Sequence, residues 1–346
     1  MASGTASSSY GDTPTATYGY TLTGFADSED SASNIGISGT ATYNGPTATS
    51  AAGSYTVSYQ NGLSNTAGYT FSSGTGLAYT VNKRVVTLTG SRAYDGAATA
   101  AGSILSASNI VGSDALSFSG SATLASKNAG SQNITSISGL TLGGASSGNY
   151  TLTGATGSVT VNKKAVTLTG TGIDRTYNGG LTYTTTAGDL TTLSEQLGVS
   201  GDTVTAATQA YTDKNAGGGK TVTIGSATIS DGNSGNNYTI TYANGNAGII
   251  RKKAVTLTAL ATSKTYDGGL TYTTTASDLT SLSGQLGVSG DTVTAATQAY
   301  TNKNAGTGKT VTVSGATISD GSSGNNYTIT YANNTSATIS KKAVTL

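Results

Sequence analysis

Apolar and polar residues alternate with a period of two along most of this chain. Val166 and Leu168 stand against Thr167 and Thr169, and Tyr238, Ile240 and Tyr242 stand against Thr239 and Thr241. Such a period puts successive side chains on opposite faces of a pleated strand, so each segment predicts a strand with one buried face. Clusters of Gly, Asn and Asp separate the segments, as expected of tight turns between strands. Helix is expected only as a short turn over residues 189–197 and over their twin, 278–286.

The alternating segments belong to a longer repeat. The phrase Asn82-Lys83-Arg84-Val85-Val86-Thr87-Leu88 recurs as Asn162-Lys163-Lys164-Ala165-Val166-Thr167-Leu168, as Arg251-Lys252-Lys253-Ala254-Val255-Thr256-Leu257, and as Lys341-Lys342-Ala343-Val344-Thr345-Leu346. Its first lysines, Lys83, Lys163, Lys252 and Lys341, lie 80, 89 and 89 residues apart. A period of that size is an array of whole folded units, because a solenoid coil would recur several times faster. Residues 165–253 and 254–342 align without a gap and are about three-quarters identical.

Landmarks follow in fixed order within each repeat. A turn comes first, Tyr94-Asp95-Gly96, Tyr177-Asn178-Gly179 or Tyr266-Asp267-Gly268. Then come an aspartate (Asp114, Asp202, Asp291), a Lys-Asn-Ala-Gly phrase (from Lys127, Lys214, Lys303), and a Gly-Asn-(Asn)-Tyr-Thr phrase whose tyrosines are Tyr150, Tyr238 and Tyr327. Several half-buried strands per repeat predict an all-β fold, a tandem array of four small immunoglobulin-like β-sandwich modules. Their expected bounds are 1–83, a diverged first module, then 84–163, 164–252 and 253–342, with 343–346 opening a further repeat. The basic pair at each junction leaves no linker, which predicts an extended, semi-rigid and monomeric rod.

Composition narrows what such an array can do. Of the 346 residues only 10% are charged and the net charge is +1, so no basic field is available to hold nucleic acid. Thr, Ser and Gly interrupt every apolar run well short of the ~20 residues a membrane-spanning helix needs. The opening Met1-Ala2-Ser3-Gly4 shows neither a basic segment nor an apolar leader. There is no Cys and no His, which removes disulfides, cysteine nucleophiles and Ser-His-Asp triads together. With two glutamates, Glu29 and Glu195, and Gly284 as the repeat twin of Glu195, paired-carboxylate hydrolysis has no foundation either. The expectation is a protein without catalytic residues or a cofactor.

The ordered landmarks before a Lys-Lys-Ala-Val-Thr-Leu junction resemble the YDG repeats of large bacterial exported adhesins. The first module, with Tyr10-Gly11-Asp12 and Thr23-Gly24-Phe25, is similar to the related MBG module. The resemblance implies a stalk region of a filamentous-haemagglutinin-like, two-partner-secreted or surface-anchored adhesin, extracellular, acting in attachment, aggregation or biofilm matrix. The partners it implies are cell-surface or matrix polysaccharide, or neighbouring copies of the adhesin.

Several residues invite sharper readings. Asp231 with Asn233, and Asp320 in the twin loop, offer oxygen ligands for Ca²⁺, but each loop holds one carboxylate and lacks a closing bidentate Glu, which favours a plain turn. A Lys–Asn isopeptide crosslink would need its residues on facing strands, whereas Lys127, Lys214 and Lys303 adjoin Asn128, Asn215 and Asn304 in sequence. Threonine runs at 182–186 and 271–275 suggest an ice-binding ladder, against which stands the twist of small sheets. The recurring tyrosines suggest a corner role with the hydroxyl bonded to backbone. The strand at 341–346 could also pair with an open edge on another copy.

Overall fold

The computed structural model describes residues 6–14 and 17–346. The opening residues read above for a leader lie outside the described ones. Among the described residues the fold is all-β apart from two short α-helices and two 3₁₀ turns, and the chain divides into two compact units, 1–164 and 165–346. Among the described residues no helix is long and apolar enough to cross a membrane.

In the second unit the two repeats are built alike. In the first, strands Lys164–Thr169 and Tyr238–Ala243 pair as a two-stranded sheet. A five-stranded sheet runs in the order Asp174–Thr176, Gly245–Arg251, Gly217–Ser230, Thr203–Tyr211, Thr182–Tyr183. Its first pair is parallel and the others antiparallel. The second repeat copies this with strands Lys253–Thr258 and Tyr327–Ala332 in parallel, and with a five-stranded sheet in the order Ser263–Thr265, Asn334–Ser340, Gly306–Ser319, Thr292–Tyr300, Thr271–Tyr272. Gly170 and Gly245 allow two chain segments to cross where the sheets separate; a Cβ on Gly245 would lie 2.0 Å from the Gly170 carbonyl oxygen. Val166 and Leu168 are buried while Ala165 and Thr167 are exposed, as alternation requires. Tyr242 departs from the pattern and is exposed, and its hydroxyl accepts from the Ala227 amide (3.0 Å).

Helices Ala187–Glu195 and Ala276–Gly284 begin two residues ahead of the expected turns. Thr186 and Thr275 cap them, each accepting from the amide of Asp189 or Asp278 while that aspartate accepts from the threonine amide. Leu193 and Leu282, within these helices, are fully buried.

In the first unit, residues 6–82 form a four-stranded sheet in the order Ser7–Ser9, Leu77–Asn82, Gly53–Ser64, Ser38–Asn44. The following repeat merges its strands into one curled seven-stranded sheet. Arg84–Ala93 and Tyr150–Asn162 run unbroken through it in parallel, with an irregularity between Thr151 and Thr156 at the place where the later repeats divide into two sheets. At each junction a single residue separates the last strand of one repeat from the first of the next: Lys83, Lys163 and Lys252. Residues 341–346 lie in no strand, and Val344 and Leu346 are exposed.

The candidate site, a tyrosine seat between repeats

In the repeats, the first landmark turn is pinned to the end of its own repeat. The amides of Tyr10, Tyr94, Tyr177 and Tyr266 donate to the carbonyls of Asn82, Asn162, Arg251 and Ser340, each at 2.8 Å. For Tyr10 and Tyr177 that bond carries the ring against the repeat that follows. The next side chain closes the turn: Asp95 and Asp267 accept from the amides of Ala97 and Gly269 at 2.9 Å, and Asn178 from that of Gly180 at 3.1 Å.

Within the second unit, Tyr177 leaves its own repeat and enters the next. Its hydroxyl donates to Asp291 Oδ2 at 2.9 Å, 114 residues away, although Asp202 lies only 25 residues along the chain. Tyr327 donates to the same oxygen at 2.6 Å, and the two rings meet edge to face with centroids 5.5 Å apart. Asp291 is buried, so its carboxylate depends on these donors for the solvation it has lost. Burial, then the bond to Asp291, pushes the Tyr177 hydroxyl up to about 12, and the same causes push Tyr327 higher.

Two further contacts complete the seat. The Asn326 side chain is read by the Lys-Asn-Ala-Gly loop of the preceding repeat: its Oδ1 accepts from the Ala216 amide at 2.7 Å and its Nδ2 donates to Asn215 Oδ1 at 3.0 Å. Gly179, at φ +80°, lies against Val288; a Cβ there would come within 2.7 Å of Val288 Cγ1. One apolar cluster consequently runs from Ile173, Tyr211 and Val222 through Tyr177 and Tyr327 to Leu257, Val311 and Ile339 of the next repeat.

The first unit holds a second seat of the same plan. Tyr10 meets Tyr150 edge to face at 5.5 Å, and Tyr150 donates to Asp114 Oδ2 at 2.8 Å. Asn149 Oδ1 accepts from the Ala52 amide at 2.9 Å, and a Cβ on Gly11 would lie 2.3 Å from Val111 Cγ2. Hydrogen bonding from Tyr150, opposed by burial and joined by Tyr10 and Ser146, holds the Asp114 carboxyl below its usual range. Burial and Asp114 push the Tyr10 hydroxyl up.

Tyr94 is buried, with the Lys127 ammonium 5.9 Å from its ring centroid. Tyr238 donates to Asp202 at 2.7 Å. Tyr177, Tyr327, Tyr150 and Tyr238 thus donate to carboxylates, and Tyr150 also accepts from the Val111 amide, a backbone bond of the kind expected from the sequence. The Asp231 carboxylate is enclosed by its own loop, with Oδ1 accepting from the amides of Asn233 and Gly235 and Oδ2 from that of Asn237. Burial works against its ionisation, but these amides outweigh it and hold the carboxyl low; Asp320 repeats the arrangement. Asn233 turns its amide to Asn237 Oδ1, so these side chains organise the loop that presents Asn and Tyr to the seat.

The threonine runs form no flat ladder. Thr185 and Thr274 donate to the carbonyls of Ala207 and Ala296, and Thr186 and Thr275 cap helices, which leaves strands of two residues. Val288 lies outside the landmark phrases, whereas Asn326 and Ala216 stand inside them with nothing in their order to show that they meet. A valine three residues ahead of each landmark aspartate (Val111, Val199, Val288) was the available signal.

A family model described as YDG domain matches the chain three times, over residues 78–157, 162–245 and 251–337. Residues 1–77 lie outside these matches. No curated protein and no solved structure matches it.

Proposed function

From the premise that the chain belongs to the YDG domain family, we propose that it is a stalk or spacer segment of a bacterial cell-surface or secreted adhesin, acting in attachment, aggregation or biofilm matrix. Each repeat is read as an immunoglobulin-like β-sandwich and the array as a semi-rigid rod, without catalysis. The observation that carries the reading is the seat at Asp291: the landmark residues of one repeat are spent on gripping the next, and one residue, Lys252, separates their strands. A joint that combines a buried hydrogen-bonded carboxylate, an aromatic pair and continuous apolar packing resists bending, which is what a spacer needs.

Small-angle X-ray scattering on the monomeric chain tests it. A rod of about 150 Å, at roughly 40 Å per small sandwich, is expected, and deleting residues 165–253 shortens it by about one such length. A compact particle of unchanged maximum dimension sinks the stalk reading.

A second reading, binding of a neutral polysaccharide, is favoured by one feature of the first segment. Tyr18, Tyr20, Tyr43, Tyr59 and Phe71 line a groove of about 590 Å³ that carries Ser and Thr hydroxyls and no charged residue. The Tyr43 hydroxyl is buried there without a partner among the described residues. Aromatic faces with hydroxyl donors suit a sugar ring. Tyrosine fluorescence titrated with neutral oligosaccharides checks this; a signal that Tyr59→Ala leaves unchanged removes the groove from consideration.

A further inference from the structure

The repeat 254–342 carries the gripping half of the seat a second time, in the open. Tyr266 matches Tyr177 in sequence and in its backbone bond, yet Tyr177 is 2% exposed and Tyr266 37%. A Cβ on Gly268 would meet nothing within 4 Å, whereas one on Gly179 runs into Val288. Asn304 accepts nothing from a neighbouring repeat and is exposed where Asn215 is half-buried, although the same local bond shapes both loops: Asn304 and Asn215 donate their amides to Asn302 and Asp213.

We infer that the face formed by Tyr266, Gly268, Asn304 and the Ala305 amide binds one partner, the receiving face of another YDG repeat. The chemistry of the occupant is given by what fills the same residues one repeat earlier. It presents a buried carboxylate for the Tyr266 hydroxyl, a tyrosine edge to face with its ring, an Asn side chain that accepts from Ala305 and donates to Asn304, and a valine against Gly268. A general sugar or peptide ligand offers no such set. Within this unit the receiving face at Asp291 is already filled by Tyr177, so a repeat whose own face is free must supply it.

The inference rests on the stalk reading for the occupant being a repeat. Its test is therefore local, while scattering tests the stalk. Because Ala343-Val344-Thr345-Leu346 equals Ala254-Val255-Thr256-Leu257, adding residues 258–346 after Leu346 supplies one more repeat in register. Amide hydrogen exchange is read by NMR at Ala305, with Ala216 as internal reference. The Ala305 amide exchanges freely in the 346-residue chain and slows about tenfold or more in the lengthened one, as a hydrogen bond in a formed interface requires. Alanine at the added counterpart of Asn326 restores fast exchange. Tyr266→Phe leaves the melting of the 346-residue chain unchanged and lowers that of the lengthened chain.

An Ala305 amide that stays unprotected while the added repeat shows protected core amides overturns the inference. So does protection that rises with concentration in the unlengthened chain, which would make the occupant a second copy of the chain.

Discussion

The seats at Asp114 and Asp291 join unlike partners. One links the diverged first segment to a repeat with a single curled sheet; the other links two near-copies with paired sheets. Both keep the ring pair at 5.5 Å and nearly the same angle, 76° and 77°, as well as the Asn side chain accepting an Ala amide and the valine against a left-handed glycine. They differ in the clamp around them. At the first seat Arg84 binds the Tyr10 carbonyl and Asp12, each within 2.9 Å, while at the second Lys253 donates to the Gly287 carbonyl. Buried contacts recur and exposed ones are exchanged, which is what their energies lead one to expect, since a buried polar group must be partnered and a surface ion pair contributes little.

Removing the carboxylate tests the recurring part most severely. Asp291→Ala strands two buried tyrosine hydroxyls and is expected to cost about 2–4 kcal/mol in urea unfolding followed by circular dichroism. Asp114→Ala should cost less, because Tyr150 also accepts from the Val111 amide and keeps that partner. Equal and negligible losses at both positions would end the claim that the carboxylates hold the repeats together.

A pair of glycine substitutions separates backbone strain from contact between repeats. Gly179→Ala and Gly268→Ala both pay for a left-handed conformation, at φ +80° and +82°, roughly 1 kcal/mol each. Only Gly179→Ala must also displace Val288, so it should cost ~1–2 kcal/mol more. The same loss at both sites would mean that the valine yields freely.

Alkali probes the tyrosines directly. The Tyr177 hydroxyl is raised from 10.0 to about 12, so the folded state holds its proton more tightly than the unfolded chain. Its contribution is complete below about pH 10 and is lost as pH rises towards 12. Stability of the second unit should fall across that window, and Tyr177→Phe should flatten the fall. An unchanged slope would place the alkaline sensitivity elsewhere, with Tyr211 the next residue to test, since burial raises it equally far.

The smallest effect is expected at the clamp. Arg84 and Asp12 have side chains 27% and 54% exposed, so Arg84→Ala should change stability by less than about 1 kcal/mol, and less still in high salt. A larger loss would show that the first seat depends on its cation more than its geometry suggests.

Much of the architecture was legible in the chain because strand alternation and turn chemistry are local. Val166 and Leu168 announce a buried face by spacing alone, residues 189–197 a short helix whose threonine cap was not read, and the recurrence of Lys83, Lys163, Lys252 and Lys341 the size of the repeat. The seat was half legible: Tyr177, Asp291 and Tyr327 all stand out as landmarks. Nothing in the order of landmarks says that Tyr177 answers to Asp291 and not to Asp202. Repetition makes the two aspartates equivalent in sequence, and only the path of the chain, with Tyr177 pinned to the Arg251 carbonyl at the end of its repeat, brings the ring to the later one. Composition and period thus determined a β-rich array of repeats. The tertiary structure decided that its signature residues bind repeat to repeat, because a contact between distant segments depends on where strands end in space and carries no mark in the local pattern.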